Sequence, residues 1–174
     1  MSPRYPAALP IAHTALRILI VVSWLLGAAI LMLLVCSLAF EQWTFTALGV
    51  PPSAETRALI AGMRAIAALG LAAVALNRSV FLRLLAIVES VREGEPFVEA
   101  NADRLQAVAW LLLALQVLSV AIGSIAHGVS SPHHSLHLAA GFSTSGWLAV
   151  VLTFVLARVF AEGTRMREDL EGTV

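Results

Sequence analysis

Four long apolar stretches alternate with short polar ones along the chain. The first runs from about residue 16 to 40, interrupted only by small or weakly polar residues such as Ser23, Gly27 and Ser37. That is long enough for a membrane-spanning helix, and longer than the apolar core of a cleaved signal peptide. The second covers about 58–76 and is rich in small residues: Ala61, Gly62, Ala65, Ala68, Gly70, Ala72 and Ala73. Small residues at helical spacing let backbones approach closely in lipid, so this span is expected at the centre of the assembly. Beyond Asn77-Arg78-Ser79, the positions Phe81, Leu84, Leu85, Val88 and Val91 keep a helical period, with Arg83, Ser90 and Arg92 on other faces. This fits either an amphipathic helix on the membrane surface or a continuation of the second span. A third span follows at about 105–126, a fourth at about 141–160, and a charged tail at 161–174 that should extend the last helix. The expected fold is all-α. It is a four-helix transmembrane bundle, one integral membrane domain over 1–174, with a cytoplasmic amphipathic helix and hinge at 79–104 between spans two and three.

Composition sharpens the membrane reading. Hydrophobic residues make up 59% and charged residues 13%, about half the charged share of an average globular domain. Such a chain cannot clothe a single core in polar surface. All 11 cations are arginine and the net charge is zero, which gives no support to direct nucleic-acid binding. Cys36 stands alone in an apolar run, excluding a disulfide framework and reading as a small buried hydrophobe. Arginine placement predicts the threading. Arg4 and Arg17, then Arg78, Arg83, Arg92 and Arg104, then Arg158, Arg165 and Arg167 cluster at the termini and hinge, whereas the 127–140 loop holds none and the 41–57 loop only Arg57. The positive-inside rule therefore places both termini and the hinge in the cytoplasm of a multi-pass protein.

The hinge has a local logic. Gly94 is placed to end a helix in a left-handed cap, and Pro96 pushes Glu95 into an extended conformation. Phe97 is free to fold back on the membrane edge, and Asn101 is positioned to cap the next helix, with Asp103 in its first turn. The carboxylates of Glu93, Glu95, Glu99 and Asp103, interleaved with arginine, read as a solvated helix start and are expected to meet Arg165 and Arg167 of the tail, or a partner.

Other chemistry is thin. His133, His134 and His137, with His127 nearby, share one loop and have ligand spacing, but no carboxylate or cysteine joins them there. They are weak metal candidates, and the expectation is no metal and no cofactor. Arg64, inside the second span, is the costliest residue for a membrane to hold. It reaches the outer interface, or pairs with Glu41 or Glu55 there, or else lines a polar path or lipid-phosphate contact. No nucleophile elbow, phosphate loop or zinc-protease helix is present, so no enzyme is expected.

Gly94-Glu95-Pro96-Phe97, then Asn101 and Arg104-Leu105, resemble the hallmark of a bacterial membrane family, domain of unknown function 2975. The tail Val159-Phe160-Ala161-Glu162-Gly163-Thr164-Arg165-Met166-Arg167-Glu168, closing on Thr173-Val174, is similar to that family's ending. The resemblance covers essentially the whole chain and implies a topology but no reaction. It also implies a cytoplasmic partner, a small helix-turn-helix regulator, met through Gly94, Pro96, Phe97, Asn101, Arg104, Gly163, Arg165 and Arg167. The expected function is thus a non-enzymatic sensor or sequestering partner that contacts membrane lipid. The alternative is a small transporter or channel subunit with a polar path at Arg64, which would require a homo-oligomer.

Overall fold

The computed structural model describes residues 8–40, 54–129 and 141–171. Four helices occupy them: α1 (Ala8–Ala39), α2 (Ala54–Arg92), α3 (Glu99–Val129) and α4 (Thr144–Glu171). No strand occurs among the described residues. Each helix is long and apolar enough to cross a membrane. The loop carrying Trp43, Phe45 and the Pro51-Pro52 pair lies outside the described residues, as does the one carrying His133, His134 and His137.

The interior is small. Ile60, Val80, Ala102, Leu105, Val108, Ala109, Ala126, Val150 and Ala157 are buried, while residues as large as Trp24, Leu25, Met32, Leu33, Trp110 and Val159 face outward. An apolar exterior of this extent identifies a multi-pass membrane protein, in which lipid takes the place of water around the helices.

The helices pack in chain order. Helix α1 lies on α2, α2 on α3 and α3 on α4, and among the described residues no other pair of helices is in contact. Glycine sets the close approaches. Gly70 meets Ile30 of α1, and Gly27 of α1 lies where a Cβ would be 3.3 Å from Val74 of α2. Gly62 of α2 lies flush against Val129 of α3, and Gly146 of α4 against the Gln116 side chain of α3. The small residues of the second span therefore serve two neighbours at once, as a central helix requires.

Helix α2 is a single element of 39 residues, about 58 Å long at 1.5 Å per residue. The stretch from Val80 to Val91 is thus a continuation of the second span and not a separate surface helix. Asn77 and Ser79, which interrupt the apolar pattern, do not interrupt the helix. The Asn77 amide donates to the Ala73 carbonyl (3.1 Å) and the Ser79 hydroxyl to that of Ala75 (3.0 Å). Each polar side chain is satisfied one turn back, at little cost in an apolar setting.

Helix α4 starts from a recess. Gly141, at φ +136°, exchanges hydrogen bonds of 3.2 Å between its backbone and the Ser119 hydroxyl. Ser143 then caps the helix, its hydroxyl accepting the Gly146 N–H at 3.2 Å. Ser119 lies ten residues before the end of α3, so α4 begins about 15 Å short of that end.

Candidate functional site: the hinge and tail surface

Between α2 and α3 the chain reverses within a few residues. Gly94, at φ +88°, ends α2. Its N–H bonds the Val91 carbonyl (3.2 Å) and the Glu95 N–H bonds that of Ser90 (3.0 Å). This is the paired arrangement of a Schellman cap, and the left-handed conformation explains glycine at this position.

Asn101 holds the corner together in a way its sequence context does not predict. It lies inside α3, two residues after the helix begins, and is only 1% exposed. One N–H of its amide donates to the Ser90 hydroxyl (2.6 Å) and the other to the Pro96 carbonyl (3.0 Å), while its Oδ1 accepts from Arg104 (2.8 Å). Ser90 in turn donates to the Ile87 carbonyl at 2.8 Å. The expected capping role is therefore corrected: α3 opens at Glu99, and Asn101 ties α3 back to α2 and to the turn. A buried amide with both donors and its acceptor engaged specifies one geometry for the corner.

The corner then meets the tail. The Phe97 ring lies 5.5 Å from that of Phe160 on α4, tilted by 32°. It also covers Gly163, where a Cβ would sit 3.6 Å from the ring. Arg167 reaches the Phe97 carbonyl oxygen at 3.5 Å, and Thr164, 5% exposed, donates back to the Phe160 carbonyl. The contact is thus made of rings and backbone, in place of the carboxylate–arginine pairing expected from sequence. Glu93, Glu95, Glu99 and Asp103 are exposed and form no ion pair among the described residues. Arg165 is exposed as well. Repeated acidic groups at a helix start are hydrated more readily than paired when their neighbours point to solvent.

Both distinctive sequence segments therefore form one surface. A family model described as "Protein of unknown function (DUF2975)" matches residues 12–174. The chain belongs to the DUF2975 family. No curated protein and no solved structure matches it. In this DUF2975 fold the hinge and the tail, distant in sequence, are adjacent.

Two arginines lie within the spans, at different depths. Arg64 donates from Nε to the Ser37 hydroxyl (3.0 Å) and from a terminal nitrogen to the Ser37 carbonyl. Ser37 lies two residues from the end of α1, so Arg64 sits at the edge of the span and caps the neighbouring helix. Glu41 and the Glu55 side chain lie outside the described residues. Arg78 is the deeper charge. It is fourteen residues further along α2, and its guanidinium lies 4.8 Å over the ring of Trp24. Trp24 is itself six residues inside the uncharged run of α1 that begins at Ile18, about 9 Å into the span. The arginine pattern groups Arg78 with the cytoplasmic cations of the hinge, and the structure sets it deeper. The aromatic partner comes from another helix and leaves no local trace.

Three buried polar atoms of this DUF2975 protein have no hydrogen-bond partner among the described residues: Arg78 Nε, Gln116 Oε1 and Trp147 Nε1. Helix packing puts them at one depth. Ser90 faces Asn101 and Gly62 faces Val129, which sets Arg78 near the level of Gln116; Gln116 lies against Gly146, beside Trp147. No group of three or more metal-ligating side chains occurs among the described residues. Cys36 is free and half-buried.

Proposed function

We propose that this protein is a non-enzymatic membrane sensor or sequestering partner, acting through a hinge and tail surface that faces the cytoplasm of a bacterial cell. The observation that carries this reading is a rigid corner surrounded by four exposed carboxylates, Glu93, Glu95, Glu99 and Asp103, without ion-pair partners among the described residues. A locked backbone presents them in a fixed array, which lowers the ordering cost of binding. A cationic surface is their natural complement, and DNA-binding proteins carry one on the face that meets phosphate. A small helix-turn-helix regulator, the partner implied by the family resemblance, would be held away from DNA by such an array. Gly94, Pro96, Phe97, Asn101 and Arg104 would shape the hinge half of the surface, and Gly163, Arg165 and Arg167 the tail half.

The test uses the full chain in lipid nanodiscs, with a small helix-turn-helix DNA-binding protein as the soluble ligand. Neutralising Glu93, Glu95, Glu99 and Asp103 to their amides should weaken binding by about tenfold or more and flatten its salt dependence. Equal binding by the neutralised chain would refute the reading.

A second reading, a small oligomeric transporter or channel subunit, is favoured by the shared depth of Arg78 Nε, Gln116 Oε1 and Trp147 Nε1. Polar atoms inside a span commonly line solute paths. The polar path expected at Arg64 is better centred on Arg78, because Arg64 is bonded to the end of α1. Under this reading Arg78→Leu abolishes flux in proteoliposomes while Arg64→Leu leaves most of it. Flux lost only in Arg64→Leu would exclude a path at Arg78.

A further inference from the structure

A cleft of about 700 Å³ opens between the first turns of α1 and the last turns of α2, lined by Leu9, Pro10, His13, Arg17, Glu89, Arg92 and Glu93. Its volume falls in the range of small-ligand sites. The His13 imidazole sits at its wall with Nε2 3.6 Å from a carboxylate oxygen of Glu89, its side chain 15% exposed. Glu93 is shared with the acidic array at the hinge; the other lining residues belong neither to that array nor to the mid-depth polar atoms.

Three features define what the cleft would hold. The first is depth. The uncharged run of α1 begins at Ile18, directly after Arg17, so the cleft lies just beyond the apolar span. That is the headgroup layer, which adds about 5–8 Å to each side of the hydrocarbon core. The second is charge. Arg17 and Arg92 supply two cations and Glu89 and Glu93 two anions, a balance that matches a zwitterion and repels a purely anionic group. The third is form. Arginine engages phosphate oxygens through a planar fork, and glutamate accepts hydrogen bonds from an ammonium. Leu9 and Pro10 add apolar lining at the outer end of the cleft, and acyl chains would leave at the opposite end, where Arg17 adjoins the apolar run.

We infer that this cleft binds a phosphoethanolamine group, with the phosphate toward Arg17 and Arg92 and the ammonium toward Glu89 and Glu93. The ligand is recognised by the pairing of the two charges, whether it arrives as a phospholipid headgroup or as the soluble compound. Its position in the headgroup layer favours the lipid.

The full chain is reconstituted with equal amounts of phosphatidylethanolamine and phosphatidylglycerol, transferred to mild detergent, and its retained lipids are counted by native mass spectrometry. Phosphatidylethanolamine should be retained about tenfold over phosphatidylglycerol. Arg17→Ala with Arg92→Ala should lose both lipids. Glu89→Gln with Glu93→Gln should invert the preference, an outcome that a general loss of folding cannot produce. A parallel arm titrates soluble phosphoethanolamine onto lipid-stripped protein and follows its thermal unfolding. Stabilisation in this arm with no retained lipid supports the site and assigns its ligand to the soluble pool. Preference of the unaltered chain for phosphatidylglycerol, retention indifferent to all four substitutions, or no response in either arm would overturn the inference.

Discussion

Two polar regions of this protein solve opposite problems. At the hinge, Ser90, Asn101 and Arg104 are linked in one network in which the amide of Asn101 is fully engaged. At mid-depth, Arg78, Gln116 and Trp147 each keep a buried polar atom without a partner among the described residues. The hinge lies where the chain turns and water is near, yet its polar groups are closed off from both. The mid-depth groups lie where an unmet polar atom is most expensive, yet they stay open. The difference teaches that polarity in this chain has two uses: one set fixes shape, and the other remains available for bonding.

The largest effect should come from opening the closed network. Asn101→Leu leaves the Pro96 carbonyl and Arg104 without their partner and takes the Asn101 donor from Ser90, at a cost of about 2–4 kcal/mol. Thermal unfolding in detergent should show it as a clear drop in midpoint. An unchanged midpoint would mean that the network contributes nothing to the corner. Gly94→Ala is the next test. The space around Gly94 is open, so the penalty is the conformational one for a side chain at φ +88°, about 1–2 kcal/mol. Asparagine at 94 should recover part of it, and equal stability of all three chains would remove the strain argument. At mid-depth the sign should reverse. Arg78→Leu removes a buried charge, gives up a cation–π contact of about 1–2 kcal/mol, and should leave stability within about 1 kcal/mol of the parent or above it. A loss comparable to that of Asn101→Leu would show that both regions are structural and dissolve the contrast.

How much of this was legible in sequence depends on the range of the interaction. The four spans were readable because apolar length is local, and the Gly94 cap because left-handed backbone geometry belongs to one residue. The fourth helix was expected to carry the charged tail, and it runs to Glu171. Asn101 was read as a cap because asparagine after a polar stretch usually is one. Its role changed because the Ser90 hydroxyl, on another helix, lies 2.6 Å away. Arg64 reads as the costliest charge in sequence because Arg78 falls in with the arginines of the hinge. Asn77 and Ser79 are satisfied one turn back by Ala73 and Ala75, while Arg78 lies over Trp24, on another helix that no local pattern links to it. The meeting of Phe97 with Phe160 and Gly163 was foreshadowed only by the two segments sharing one side of the predicted topology.

The unbroken length of α2 has a mechanical consequence. A rod of about 58 Å with no internal joint acts as a lever: a tilt of about 5° at one end carries the other through about 5 Å. It packs on α1 and α3 along its length, with Arg64 bonded to Ser37 toward one end and the Gly94 corner at the other. A change in bilayer thickness or in the seating of α1 would therefore swing the acidic corner as one piece, converting a disturbance in the membrane into a displacement beside it.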